Sequence, residues 1–326
     1  MSLSETGKIA REFCKKHPKV STWRLAHMIK EEYPGISLES ARSAVRYHRG
    51  LRHGNGEAKS PIPFDIRIPQ GIVQEWTDVT IPLSESPYLI IGDLHIPYHS
   101  KQAVEIALEY AYKRGIKNII LNGDIQDAYP ISHYPKKKTN FAGMAQEREQ
   151  VRQFLRELRR FFTGTIIFKA GNHEERVPKF YADNFASLVQ SPYYDYIHSL
   201  DVSAGEHFLE KLNITYVQSG ALRYGRLSVI HGSECGKSMG SAHPARLMFN
   251  KMLSCCISSH FHRTSLHAEP TSEGNLISCW TVGCLCQMHP EFAEINKWNH
   301  GLAVLYTEPN NWFRVENQRI VKNKIV

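Results

Sequence analysis

The sequence predicts an α/β protein with a small all-α unit at its front. From residue 86 onward, short apolar strand-like runs alternate with amphipathic stretches of helical period, whereas the first fifty residues carry helical periods. The length is consistent with this division: 326 residues, 42% hydrophobic and 22% charged, suit one large domain with a small appendage. That composition excludes disordered, collagenous and fibrous chains.

The front of the chain is basic. Residues 1–60 hold 12 Lys+Arg against 6 Asp+Glu, so they carry most of the formal charge of +8. A first helix is predicted over 4–16. Ser21 or Thr22 caps a second through Trp23, Leu25, Ile29 and Tyr33, which Pro34-Gly35 ends, and Ser37 caps a third over Leu38–Arg49. In that third helix Arg42, Arg46 and Arg49 recur at i, i+4 and i+7. The outline is a basic helix-turn-helix-like module over 1–51. Its arginine stripe suits nucleic-acid phosphates, or else forms a solvated face that docks another protein. Residues 52–70, rich in Gly and Pro, read as a linker, and 71–326 as the large domain.

Within that domain the strand-like runs end on the same kind of residue. Tyr88–Ile91 leads into Gly92-Asp93-Leu94-His95, and Asn118–Leu121 into Asn122-Gly123-Asp124. Thr165–Phe168 leads into Gly171-Asn172-His173-Glu174, Leu227–Ile230 into His231-Gly232, and Cys255–Ser259 into His260-Phe261-His262. Helices are predicted through 101–114 and 144–162 between the first three. Parallel strands bring such C-terminal ends to one edge, where ligands bind. Lone Asp or His residues are ordinarily turn or core groups; five metal-competent sets in succession are not.

The set Gly-Asp-x-His, Gly-Asp-x-x-Asp, Gly-Asn-His-Glu, a strand-end His and His-x-His resembles the calcineurin-like metallophosphoesterase superfamily, over about residues 86–270. The resemblance implies a two-sheet β-sandwich flanked by helices. It also implies that Asp93, His95 and His262 hold one metal ion, that Asn172, His231 and His260 hold a second, and that Asp124 bridges them. His173 becomes a general acid for the leaving oxygen, oriented by Asp127, and Arg176 and Asn172 become substrate-binding groups. Arg176 beside Glu174 and Glu175 equally suits an ion pair. Residues 280–286 and 297–301, with Trp298 and His300, are similar to phage- and prophage-encoded members.

These residue types suit phosphate-ester hydrolysis by a hydroxide held between two divalent ions. Mixed nitrogen and oxygen donors favour Mn first, with Fe, Zn, Ni or Co also compatible, over Ca or Mg. Here Asp127 is followed by Ala128-Tyr129, whereas protein phosphatases of the superfamily carry Arg-Gly there to bind a phosphomonoester. That departure, the basic module and Lys136-Lys137-Lys138 point to a phosphodiesterase or nuclease with nucleic acid as partner. The alternative is a phosphomonoesterase on phosphoproteins, nucleotides or other small esters, with the front module docking protein.

Three further expectations follow. The run from His231 to Ser238 imitates a phosphate-binding loop but has one residue too few between its glycines, which leaves Lys237 as a loop lysine. The seven cysteines lack zinc-site spacing and read as buried thiols without a disulfide framework. No apolar run approaches the ~18 residues of a membrane span and the N-terminus lacks the apolar core of a signal peptide, so a cytoplasmic protein without a membrane partner is expected.

Overall fold

The computed structural model describes residues 5–18, 20–49, 71, 77–133, 136, 142–185, 196–201, 207–236, 242–290 and 293–326. The sequence-predicted linker 52–70, Lys137, Lys138 and Lys237 lie outside them. The chain divides into two compact units, Met1–Val73 and Gln74–Val326.

The first unit contains three helices, α1 (Glu5–Lys16), α2 (Thr22–Glu32) and α3 (Leu38–His48). Ser21 Oγ accepts the Arg24 N–H at 3.3 Å and Ser37 Oγ the Ser40 N–H at 3.1 Å, so both predicted caps satisfy otherwise unpaired helix N–H groups. Ala10, Leu25, Ala26, Ile29, Ala41 and Val45 form its core. The arginine stripe differs from expectation at its end: Arg49 follows the helix and donates to the His17 carbonyl at 3.1 Å, tying α3 to the end of α1. Arg42 stays exposed and Arg46 half-buried.

In chain order the second unit contains β1 (Val79–Thr80), β2 (Tyr88–Ile91), α4 (Lys101–Lys113), β3 (Asn118–Asn122), α5 (Met144–Phe161), β4 (Ile166–Lys169), α6 (Arg176–Asn184), α7 (Tyr196–Asp201), α8 (Phe208–Lys211) and β5 (Ile214–Val217). It continues with β6 (Leu222–Tyr224), β7 (Leu227–Ile230), α9 (Pro244–Met252), β8 (Cys256–Ser258), β9 (Ser265–Pro270), β10 (Leu276–Thr281), β11 (His300–Glu308), β12 (Trp312–Val321) and β13 (Lys324–Ile325). Two sheets result: a seven-stranded one ordered β13-β12-β11-β2-β3-β4-β5 and a six-stranded one ordered β1-β6-β7-β8-β10-β9. Strands β2 to β5 run parallel, as do β7, β8 and β10.

Side-chain alternation along β2 shows how the layers stack. Tyr88 and Ile90 enter a core shared with Tyr224, Val229 and Ile257 of the other sheet. Leu89 and Ile91 face the other way, onto Ala107 of α4 and Leu155 of α5. On the far side of the six-stranded sheet, Met248 of α9 packs on Ile230, Cys256 and Cys279. The architecture is therefore a two-sheet sandwich with helices on both outer faces. All seven cysteines are free. No helix among the described residues is long and apolar enough to cross a membrane.

One buried ion pair joins the sheets. Lys169, at the end of β4 and 1% exposed, meets Glu234, just past β7, at 2.7 Å. Burial alone would raise the Glu234 carboxyl, but Lys169 and His231 outweigh it and hold it at about 2. Lys169→Met strands that carboxylate and is expected to lower unfolding free energy by about 3–5 kcal/mol. Urea denaturation checks this; a loss below ~1 kcal/mol would show that the pair contributes little.

Candidate metal centre

Every predicted ligand sits just beyond a strand end, and the sandwich brings all seven to one rim. Asp93, His95, Asp124 and Asn172 follow β2, β3 and β4 of one sheet; His231, His260 and His262 follow β7 and β8 of the other. The glycines of the motifs are there for space. A Cβ on Gly123, whose φ is +82°, would strike the His231 ring, and one on Gly171 would strike the Asp124 carboxylate. Ser259 accepts from Asn122 Nδ2 at 3.0 Å, and the same Asn122 amide donates to the Ile230 carbonyl at 2.8 Å, joining the sheets below the rim.

The backbone carries an independent mark. Asp93, His95, Asp124, His260 and His262 have φ of 51°, 52°, 53°, 68° and 55°. Left-handed backbone costs a residue with a Cβ roughly 1–2 kcal/mol, and such strain concentrates where function requires a particular side-chain aim. Asn172 and His231 reach the cluster from ordinary backbone.

Asp124 lies at the centre. Among the described residues four groups have donor atoms within 4.8 Å of one another: Asp93-His95-Asp124 and Asp124-His231-His260 share Asp124, while His95 also belongs with His262 and Cys286 and with Asp127 and His173. Its Oδ2 is 3.2 Å from His231 Nε2 and 4.0 Å from His95 Nε2. Asn172 Oδ1 is 3.2 Å from His231 Nε2, and His262 Nε2 is 3.1 Å from His95 Nε2 and 3.6 Å from Asp93 Oδ1. Outer partners fix the rings: His231 Nδ1 donates to the Asn122 carbonyl at 2.8 Å, which turns Nε2 inward. Behind His262, Cys286 Sγ is 3.9 Å from Nδ1 and Trp298 packs edge-on at 4.1 Å. His300 Nε2 bonds the Cys286 carbonyl at 2.9 Å, so it holds a wall of the site.

The donor set fits divalent cations. Asp93 Oδ1 and His260 Nδ1 are buried and accept no hydrogen bond. Buried carboxylates otherwise collect protons: burial would lower the His231 and His262 imidazoles, yet Asp124 and Asp93 outweigh it and push them up to about 10 and about 9. For His260, burial and the neighbouring His231 charge outweigh the pull of Asp124 and Asp93, and the imidazole falls to about 4. A pair of cations would take the place of the protons that Asp124 and Asp93 draw onto the His231 and His262 imidazoles.

His173 and Asp127 stand beside this cluster. The His173 N–H donates to Asp124 Oδ1 at 2.9 Å; its Nδ1 is 2.7 Å from the Asp127 carbonyl and 3.3 Å from Asp127 Oδ1. Asp127 Oδ1 also meets His95 Nδ1 at 3.0 Å, so one carboxylate orients two imidazoles. Burial raises the Asp127 carboxyl, but His173 and His95 reverse this and leave it well below the usual range. Arg176 bonds the Asp127 carbonyl at 2.7 Å and His173 Nε2 at 2.9 Å. The sequence-suggested ion pair with Glu174 or Glu175 is replaced by this contact, because both carboxylates point elsewhere: Glu175 pairs with Lys179.

Sequence reasoning missed Glu174. Fully buried, it accepts the N–H groups of Asp124 (2.9 Å), Ile125 (2.9 Å), Gln126 (3.1 Å) and Gly171 (2.8 Å). The Gly-Asn-His-Glu run was the available signal, read for its Asn and His alone. Glu147 of α5 was missed too. Gln126 Nε2 donates to it at 3.3 Å, and burial together with the Asp127 charge pushes its carboxyl up to about 7.

A folded-state pKa above the unfolded value means that folding retains a proton, so stability is full below about pH 4.5 and falls as pH rises through 7. Glu147→Gln removes that loss. It is expected to match the parent near pH 4.5 and exceed it by roughly 2–3 kcal/mol at about pH 8. Parallel urea-unfolding stabilities across that range would contradict the assignment.

No protein-family model and no curated protein matches the sequence. Among solved structures, a Vps29 single mutant from Entamoeba histolytica is 12% identical with a TM-score of 0.37, over 74% of this chain and 96% of that one. The phosphoesterase Yfce from E. coli is 14% identical with a TM-score of 0.32, over 71% and 98%. A dimetal phosphatase from Danio rerio is 10% identical with a TM-score of 0.35, over 72% and 95%.

Proposed function

We propose that the chain is a phosphoesterase dependent on two divalent metal ions, and that it cleaves phosphodiesters, with nucleic acid as the substrate class. The observation that carries the reading is the convergence of seven donor residues from two sheets at one rim with Asp124 among them, five of them on left-handed backbone, with buried unpaired atoms on Asp93 and His260. Asp93, His95 and His262 would hold one ion and Asn172, His231 and His260 the other, sharing Asp124. When bound there, divalent ions neutralise phosphoryl charge and make water nucleophilic near neutral pH.

The chain's own groups account for the remaining steps. Asp127 fixes the His173 ring through Nδ1; Nε2 accepts from Arg176 here, and would be free to carry a proton to the departing oxygen once Arg176 turns to a phosphoryl oxygen. Arg176, already at that nitrogen, is within reach of a phosphoryl oxygen arriving beside it and binds it as a planar donor. Manganese is the first ion to test. The exposed Arg42 of α3 and the basic balance of the first unit support polyanion binding by that unit.

The deciding experiment compares the manganese-loaded chain on bis-p-nitrophenyl phosphate, p-nitrophenyl phosphate, single- and double-stranded DNA, RNA and a phosphopeptide. Diester and nucleic-acid turnover supports the reading. Turnover of monoesters alone replaces it with a phosphomonoesterase, and no turnover with any metal rejects both.

His173→Ala is expected to retain both ions and lose about 10²–10⁴ in kcat on esters with poor leaving groups, with much less loss on p-nitrophenyl esters. An equal loss on both kinds of ester would remove the general-acid role.

A further inference from the structure

A cavity of about 540 Å³ opens one residue beyond the last predicted ligand, lined by His243, Arg263, Thr264, Lys297, Asn299 and Arg319 among others. Its wall is pinned to the metal rim. The Asn299 N–H donates to the His262 carbonyl at 2.9 Å, and Asn299 and Thr264 exchange bonds of 2.9 and 2.8 Å. Arg319 bonds the Thr264 carbonyl at 3.5 Å. A neighbouring cavity of about 150 Å³ shares His243 and adds Arg246.

The charge of this place is one-sided. No Asp or Glu lines either cavity, and among the described residues Arg246, Arg263, Lys297 and Arg319 make no ion pair. Elsewhere on the unit Arg114, Arg152, Arg223 and Arg314 each meet a carboxylate. Among the described residues the side chains of Arg263 and Arg319 bond only backbone carbonyls, those of Ala242 and Thr264, and cations that no carboxylate neutralises around a concave space suit an anion from solution. α9 begins directly behind His243 and sets the positive end of its dipole at the same wall.

We propose that this cavity binds a non-scissile phosphate of a nucleic-acid strand whose scissile phosphate sits at the metal rim. The inference rests on the phosphoesterase reading for the place of the scissile group. A phosphopeptide or a simple ester carries one phosphate, which the rim already takes, so it leaves nothing for a second cationic cavity. A strand repeats its charge at every nucleotide and fills both places. Phosphate contacts of this kind position a strand without reading its bases.

The test is fluorescence anisotropy of a labelled single-stranded oligonucleotide on the full chain in chelator, so that no cleavage occurs, across a salt series. Each lost phosphate contact lowers the salt slope by about 0.7 for single strands, so Lys297→Ala/Arg319→Ala is expected to reduce it by about 1.4 and weaken Kd at least ~10-fold. Lys297→Arg/Arg319→Lys restores both. In parallel, manganese-loaded turnover of bis-p-nitrophenyl phosphate, which has a single phosphate, stays at the parent rate in the double variant while KM for the oligonucleotide rises.

An unchanged salt slope and Kd overturn the proposal, as does tripolyphosphate binding that depends on Lys297 and Arg319 when strand binding does not. A parent chain inactive on bis-p-nitrophenyl phosphate and on nucleic acid rejects the phosphodiesterase reading instead, and the anisotropy result still decides the cavity.

Discussion

Asp124→Asn is expected to reduce turnover of bis-p-nitrophenyl phosphate at least ~10³-fold, about 4 kcal/mol of transition-state stabilisation. No other residue belongs to both Asp93-His95-Asp124 and Asp124-His231-His260. The amide keeps the shape of the side chain but removes a buried negative charge and one strong donor oxygen, so neither of the two proposed cations would keep a full carboxylate contact there. The backbone bond from His173 to Oδ1 at 2.9 Å can survive in the variant, and a parent-like urea midpoint separates loss of chemistry from loss of fold. Elemental analysis of the manganese-loaded variant is expected to show fewer ions per chain than the parent. Full metal content with turnover within about tenfold of the parent would remove Asp124 from the centre.

The second large effect is expected from Glu174→Gln, which touches no substrate. The carboxylate receives four N–H groups, two on each oxygen, and three of them belong to the loop that carries Asp124. Glutamine offers one acceptor oxygen and turns an NH₂ toward two of the donors. Leaving two buried N–H groups unpaired costs about 1–3 kcal/mol each, so a loss of roughly 3–5 kcal/mol in unfolding free energy is expected with or without metal. Because the loop aims Asp124, metal affinity is expected to fall about 10–100-fold as well. Denaturation of the chelated variant and a manganese titration separate the two effects. Parent-like values in both would show that water replaces the carboxylate without consequence.

How much of this was legible in the sequence depended on the range of the interaction. The strands β2, β3, β4, β7 and β8 and helices α4 and α5 announce themselves by local apolar period, and the observed spans lie within a residue or so of the expected ones. The turns that bear the predicted ligands were legible because each of five strands runs into one, and a family resemblance implied which side chains in them ligate. The closing strands β11 and β12 were not, although they are the longest in the fold. β12, Trp312–Val321, mixes polar and apolar residues and gives a weak alternating signal, whereas β11 is largely apolar but takes its place beside β2 by pairing across more than two hundred residues.

Glu174 escaped for a similar reason. Its partners Asp124, Ile125 and Gln126 lie some fifty positions earlier, and no local pattern marks a carboxylate that caps a distant loop. The basic cavity gathers His243, Arg263, Lys297 and Arg319 from four separate segments, whereas the front module's arginines drew attention by standing close together in one helix. Arg49 shows the converse: a periodic position that looked solvent-facing is used internally to hold His17.

The left-handed turns at Asp93, His95, Asp124, His260 and His262 place this protein's heat tolerance and its chemistry in opposition. A glycine at any of the five would relax the chain and discard a donor atom in the same stroke. A library screened only for survival at high temperature would therefore accept glycine at these five positions as readily as at left-handed positions away from the rim, such as Leu253, and would drift toward inert sequences.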